Sequence, residues 1–305
     1  MKNSFTTQWA NQNIKITYPK KILLDYFMRV FFKEWIKSPL KESGNQIIVK
    51  LEKSEEKTIE AQTFDYNREI KGDCIITNVY NVKIFRAFIR SLYKSVFLKS
   101  SVVGIPELYM AIIRKGIVEP IEYYNHLEGW SLIHANVFEY DGKTFVITAG
   151  SKVGKSTLIN KLSQQFKIKI LSDNYCFINK KKVRTFEEPL RGGIESRLKL
   201  SFYNRSINGY PHKFEAEIDY FIYLKRSNEN YLIEINNNEL EKNIRKINEN
   251  AGEGIFFANN KDPLKIDSKD FIFKKGDFKS LELGMKQGLH NINTTMNLII
   301  NLAEK

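Results

Sequence analysis

Apolar positions along this chain recur with two different periods, and the switches between them mark its elements. Alternation at Ile14, Ile16 and Tyr18 predicts an opening strand within residues 4 to 18. Helical spacing of Ile22, Leu23, Tyr26, Phe27, Val30, Phe31 and Trp35 predicts a helix over residues 20 to 37, its aromatics belonging to the core rather than to a ligand platform. Ser43-Gly44-Asn45 reads as a turn, residues 46 to 51 as a strand, and the charged run Glu52 to Lys57 as a hairpin tip. Strands follow at 64–66 and 73–78, then helices at 82–98 and 106–115.

The second half is richer in short strands. Residues 130 to 140 (WSLIHANVFEY) alternate as one strand, and Asp141-Gly142 is a two-residue hairpin signal. Phe145 to Thr148 is a buried strand, and Lys155 to Leu162 a helix with Leu158, Ile159 and Leu162 on one face. Residues 166 to 171 form a further strand. A hairpin over 175–186 turns at Lys180-Lys181. Strands at 218–225 and 231–235, a helix at 238–250 with Leu240, Ile244 and Ile247 inward, and a helix at 291–302 complete the pattern. No internal repeat and no linker rich in Pro, Gly or Ser appears. The best boundary falls between residues 120 and 130. It separates an α+β N-terminal region, 1–125, with substrate recognition as its expected role, from an α/β domain, 126–305.

The stretch KTFVITAGSKVGKSTLINKL (143–162) carries the chemistry. Strand, glycine loop, Gly-Lys-Ser and helix is the phosphate-binding loop arrangement. Gly150, Ser151, Lys152, Val153, Gly154, Lys155, Ser156 and Thr157 are the nucleotide-binding candidates. Their backbone N–H groups and the helix N-terminus offer partial positive charge to an anion. Lys155 would reach the β- and γ-phosphates, and the Ser156 hydroxyl would ligate Mg²⁺. The strict pattern has Gly where this chain has Ala149. The bland alternative is a chance Gly-Lys-Ser turn. Most proteins with this loop reach its strand otherwise than through a hairpin, so the Asp141-Gly142 turn bears on subclass.

Phosphoryl transfer needs a carboxylate near the metal, at the end of a neighbouring strand. Asp173, 18 residues after Lys155 and closing the strand of 166–171, is that candidate, against the alternative of an Asp capping a turn. His134 sits mid-strand in the hairpin partner, where a histidine bonded to a backbone carbonyl is the simpler reading. Arg191, before Gly192-Gly193 in a loop, is suited to clamp a phosphate, or is a solvated loop charge. His126, His212 and His290 show no ligand spacing.

Composition changes this picture little. The chain has 305 residues, 42% hydrophobic positions and a net charge of +13. Lysine and asparagine are spread throughout, which favours a solubilising surface over a nucleic-acid or membrane partner, and no nucleic-acid motif is visible. Two cysteines, Cys74 and Cys176, make neither a disulfide framework nor a metal site. The N-terminus lacks an apolar signal core, and no apolar run is long enough to span a bilayer. The expectation is a cytoplasmic protein.

His134-Ala135, the Asp141-Gly142 hairpin, the loop from Ala149 to Thr157 and the strand end Leu171-Ser172-Asp173-Asn174 together resemble the HPr kinase/phosphorylase family. More broadly they resemble the HPr-kinase-like P-loop kinases, which share a fold with PEP carboxykinases. The likeness covers roughly residues 130 to 195. It implies an α/β fold: a P-loop core with the mixed sheet of that type. It also implies an ATP- and Mg²⁺-dependent kinase acting on a hydroxyl, either a serine of a peptide or protein or a small molecule. On this reading Lys155 stabilises the transferring group, Ser156 and Asp173 serve the metal, and Asp173 acts as base. His134 orients the acceptor or base, and Arg191 falls in the family's arginine-glycine segment. Where the family has Asp-Asp this chain has Asp173-Asn174, and Asn cannot take a proton at neutral pH. The first 120 residues do not match the regulatory domain of true HPr kinases, so HPr itself is not the expected acceptor. Relatives assemble into rings, which makes a homo-oligomer an analogy only. The alternatives are a GTPase and a non-catalytic nucleotide-binding protein. The guanine-reading Asn-Lys-x-Asp is absent, with Asn260-Lys261-Asp262 bringing Asp one place early. The departures at Ala149 and Asn174 motivate the non-catalytic reading.

Overall fold

Two hairpins and a central parallel strand build the first sheet. The computed structural model describes residues 2–9, 12–19, 45–52, 65–80, 112, 114–150, 153–172, 175–185, 215–251, 263–264, 276–286 and 289–304. Strands β1 (Lys2–Trp9) and β2 (Gln12–Pro19) pair antiparallel, as do β4 (Asp65–Lys71) and β5 (Cys74–Tyr80). Between the pairs lies β3 (Gln46–Glu52), parallel to both β2 and β5, so the order is β1-β2-β3-β5-β4. Period-two burial of Ile14, Ile16, Ile47, Val49, Ile75 and Val79 marks its covered face. With a parallel neighbour on either side, β3 enters no hairpin, contrary to the expectation from Glu52–Lys57. Parallel pairing requires crossovers instead. The helices expected at 20–37 and 82–98 lie outside the described residues.

A single π-helical turn, Arg114–Val118, leads into α1 (Glu119–Leu127). Pro120, which has no N–H to donate, lies just after this π-helical turn. Glu119 is fully buried and accepts from Arg68 of β4 and from Lys115 Nζ at 2.6 Å. The Tyr124 hydroxyl donates to the Asp73 carbonyl at 2.8 Å. Chain contacts divide the protein into two units. The first is Met1–Tyr124 with Ile194–Leu200 and Ala258–Ile266. The second is Asn125–Gly193 with Ser201–Phe257 and Asp267–Lys305.

The second unit is α/β with mixed and antiparallel sheets. Its elements are β6 (Ser131–Ile133), β7 (Ala135–Tyr140), β8 (Lys143–Ala149), α2 (Lys155–Gln165), β9 (Lys169–Ser172), β10 (Cys176–Asn179), β11 (Lys182–Thr185), β12 (Glu215–Glu217), β13 (Tyr220–Ser227), β14 (Tyr231–Glu234), α3 (Asn237–Ala251), β15 (Lys279–Lys286) and α4 (Leu289–Ala303). A six-stranded sheet runs β14-β15-β13-β8-β7-β9, with β8, β13 and β15 mutually parallel in its centre. A four-stranded antiparallel sheet runs β12-β11-β10-β6.

Each face of the larger sheet has its own core. On one, Phe145, Ile147, Ala149, Ile222, Leu224, Leu281 and Leu283 meet Leu158, Ile159 and Leu162 of α2 and Ile292, Met296 and Ile299 of α4. Phe138, Phe145 and Tyr220 stack across three strands on that face, with ring centroids 4.9 and 5.0 Å apart. On the other, Val137, Val146 and Phe221 meet the smaller sheet through Ile133, Cys176, Ile178 and Val183, and α3 through Leu240 and Ile244. Residues 130–140, expected as one strand, are two. The chain leaves β6 in the smaller sheet and enters β7 in the larger one at His134. Burial is continuous through both strands, on both of their faces, so no shift of period marks the change of sheet.

Candidate functional site

The site is assembled from the hairpin that feeds β8. Asp141 and Gly142 have φ of 48° and 73°, both left-handed, as the favoured two-residue hairpin turn requires. That turn fixes the register: Tyr140 faces Lys143, and five rungs along Ala135 faces Thr148. Thr148 Oγ1 donates to the His134 carbonyl at 2.9 Å, tying the sheet-switch point to the last turn of the ladder before the loop. The half-buried His134 ring lies 5.8 Å from that of Tyr175, centroid to centroid. The Ser172 hydroxyl, at the end of β9, donates to the Tyr175 carbonyl. Across β7, Ser172 stands level with Val146 of β8.

Beyond β8 the chain turns into α2. Ala149, where the strict loop pattern has Gly, is still a strand residue. It pairs with Leu224, and its methyl group is fully buried in the core. No left-handed φ occurs at Ala149 or Gly150, so the loop does not need a glycine at 149. Gly154 is where it does. This residue caps α2 at φ 117°, ψ 11°, and a Cβ there would stand 2.8 Å from Met285 Cε. Its carbonyl accepts the Leu158 N–H at 3.0 Å, the first bond of the helix.

The start of α2 has the electrostatics of an anion site. Its first turn carries no acidic side chain, and no side chain caps it. The first N–H groups of a helix have no intrahelical acceptor and lie at the positive end of its dipole. Lys155, the first helical residue, is only 7% exposed, while Ser156 and Thr157 face solvent. A buried lysine at that place sets an ammonium close to where phosphate oxygens would lie. The exposed Ser156 hydroxyl suits a metal bound on the solvent side of a phosphate chain. The residues present therefore fit a nucleoside triphosphate with Mg²⁺. Among the described residues no three His, Cys, Asp or Glu side chains cluster into a metal site of their own.

Of the sequence-predicted residues, the structure brings together His134, Gly150, Val153, Gly154, Lys155, Ser156 and Thr157 around the end of β8. Ser151, Lys152, Asp173 and Arg191 lie outside the described residues, as does Asn174. Thr148 and Tyr175 were not anticipated. The Thr148–His134 contact was countable from the Asp141-Gly142 turn, since a two-residue hairpin pairs Ala135 with Thr148. The Tyr175 contact depends on β10 joining β6 in a second sheet and has no sequence signal.

No family model matches this chain, and no curated protein matches it. Among solved structures it is similar to the HPr(Ser) kinase/phosphatase from Coxiella burnetii at 11% identity and a TM-score of 0.29, over 56% of this chain and 89% of that one. That likeness is distant, and the functional reading rests on this chain's own residues. Among the described residues no helix is long and apolar enough to cross a membrane.

Proposed function

We propose that this chain is an ATP- and Mg²⁺-dependent kinase of the HPr-kinase-like class, transferring a phosphoryl group to a hydroxyl of a serine or a small molecule. The observation that carries the proposal is Lys155. It is buried and opens α2 directly after the positive-φ Gly154, at the C-terminal end of a central parallel strand. Backbone N–H groups from residues 150 to 156 hold the phosphates. The Lys155 ammonium balances charge on the γ-phosphoryl oxygens as the bond to the β-phosphate breaks. The acceptor oxygen forms the new P–O bond, ADP leaves, and Asp173 takes the hydroxyl proton. His134, held by Thr148 through its carbonyl and adjoining Tyr175, orients the acceptor or Asp173. Arg191 clamps a phosphate. Ser156 and Asp173 would hold Mg²⁺, which when bound neutralises phosphate charge. Catalysis is positioning and electrostatics.

A non-catalytic nucleotide-binding role is the second reading, favoured by the amide at Asn174 in place of a second carboxylate. It predicts nucleotide binding without acceptor-dependent turnover. The deciding experiment incubates the protein with labelled ATP, Mg²⁺ and candidate serine peptides or lysate fractions. Label on a serine-bearing species, lost in Lys155→Ala and Asp173→Asn, supports the kinase. Wild-type-level transfer by either variant overturns it.

A further inference from the structure

We infer that Tyr223 binds the phosphoryl acceptor, its hydroxyl donating a hydrogen bond to a neutral oxygen of that molecule, a carbonyl or a hydroxyl. That the bound molecule is the acceptor rests on the reading above; that the hydroxyl meets a neutral oxygen rests on its surroundings. Tyr223 lies on β13, the parallel neighbour of β8. It is level with Thr148, one rung before the ladder ends at Ala149 and Leu224. The phosphate loop follows Ala149 directly. In open α/β sheets the ends of parallel strands are where ligands bind.

The face it occupies is the one that carries His134. Tyr223 packs against the core of Ile133, Val146 and Phe221, between the two sheets, whereas α2 covers the opposite face. Thr148 follows Val146 at period two and so shares the Tyr223 face. The Thr148 hydroxyl holds the His134 carbonyl at 2.9 Å. Paired strands stand about 4.8 Å apart, so Tyr223 is one strand removed from that contact. His134 orients the acceptor on the reading above, and Tyr223 stands on the next strand but one along the same face.

The polar groups next to Tyr223 are already matched to one another. Glu282, its partner in the β13–β15 register, accepts from Lys225 Nζ at 2.6 Å and from the Tyr231 hydroxyl at 2.8 Å. The Tyr231 ring lies over Gly284, where a Cβ would stand 2.3 Å from it, and Lys225 Nζ is 5.7 Å from the ring centroid. Tyr223 differs. It is half-buried, and among the described residues no hydrogen-bond partner meets its hydroxyl. A tyrosine hydroxyl with an apolar ring packed in a core ordinarily has one. Burial first, then the Glu282 carboxylate, raises its pKa above the ordinary value, so the phenol stays protonated and can donate. Lys225 and Glu282 balance each other, so Tyr223 adds a neutral donor to this face. Such a donor suits a carbonyl or hydroxyl oxygen.

The test uses full-length protein carrying ¹³Cζ-labelled tyrosine. Of its 15 tyrosine signals, that of Tyr223 is the one missing from Tyr223→Phe. Free L-serine and a pool of end-blocked pentapeptides with a central serine are titrated separately, each with and without MgADP. A saturable shift of the Tyr223 signal is expected with at least one probe. A response to the peptides alone assigns the contact to a peptide acceptor, and a response to L-serine to a small one. By calorimetry Tyr223→Phe should bind the responding probe about two- to tenfold more weakly, the value of one neutral hydrogen bond. Its urea midpoint should match that of the wild type, whereas Tyr231→Phe, which loses an internal bond, should unfold at lower urea. No saturable shift with either probe, equal probe affinity in Tyr223→Phe, or a urea midpoint lowered as in Tyr231→Phe overturns the inference. If Lys155→Ala binds MgATP like the wild type, the phosphate-loop reading fails, while the titrations without nucleotide still decide this one.

Discussion

Replacing Gly154 by Ala tests the loop at its most constrained point. At φ 117° an L-residue is outside its favoured regions, which costs about 1–2 kcal/mol. The new methyl would also stand 2.8 Å from Met285 Cε. Met285 is half-buried and its thioether is flexible, so it moves aside by leaving its preferred rotamer, which costs about 0.5–1.5 kcal/mol. The total is about 1.5–3.5 kcal/mol. If the fold bears it, urea unfolding loses that much stability. If the start of α2 shifts instead, the N–H groups lose their aim and MgATP affinity falls by about tenfold per 1.4 kcal/mol. Unfolding curves and MgATP titrations on Gly154→Ala, Met285→Ala and the double variant separate the two parts. The double variant should recover the steric part, a coupling of about 0.5–1.5 kcal/mol, and retain the backbone part. A Gly154→Ala protein with wild-type stability and wild-type affinity refutes the geometry described for this loop.

Four further outcomes follow from the same structure. Glu119→Gln leaves Arg68 buried without its carboxylate and should cost about 3–5 kcal/mol in urea unfolding; a loss under about 1 kcal/mol contradicts the buried pair. Gly142→Ala meets no neighbouring atom, so it should cost only the left-handed backbone penalty of about 1–2 kcal/mol, with Asp141→Asn close to neutral. Thr148→Val removes the bond to the His134 carbonyl and should cost about 1 kcal/mol, with acceptor phosphorylation falling more than MgATP affinity. Burial first, then the Cys74 and Asp73 charges, raises the Tyr124 pKa above its ordinary value. A raised folded-state pKa means the unfolded chain releases the proton first, so this stability is complete below about pH 10 and lost above it. Urea midpoints between pH 8 and 11 should decline more steeply for the wild type than for Tyr124→Phe; equal slopes count against this assignment.

Local signals carried much of the second unit. The Asp141-Gly142 turn, the buried run of β8 and the apolar stripe of α2 each specify one structure, and turn and register together place His134 beside the loop. Burial of Leu240, Ile244 and Ile247 on α3 likewise follows the helical period. Pairing partners were not legible, because a strand's period is the same whichever sheet it joins; hence one expected strand over 130–140 became two. Strand β15 went unread for a different reason. Glu282 sits inward at 6% exposure, where a polar residue ordinarily marks the outer face. It is held there by Lys225 at 2.6 Å and by the Tyr231 hydroxyl at 2.8 Å. Those partners come from β13 and β14, far away in sequence. Strand β1 was also missed: its residues, KNSFTTQW, are mostly polar, and pairing with β2 rather than apolar alternation places it.

The central claim is that α2 opens onto bound phosphates with Lys155 against them. Calorimetric titration of MgATP into wild-type protein and Lys155→Ala tests it most directly, with urea unfolding confirming that the variant is folded. The account predicts a saturable, one-site isotherm for the wild type and an affinity lower by about tenfold or more for the variant, the value of a lost charge-assisted contact. Equal affinities in two folded proteins would contradict it.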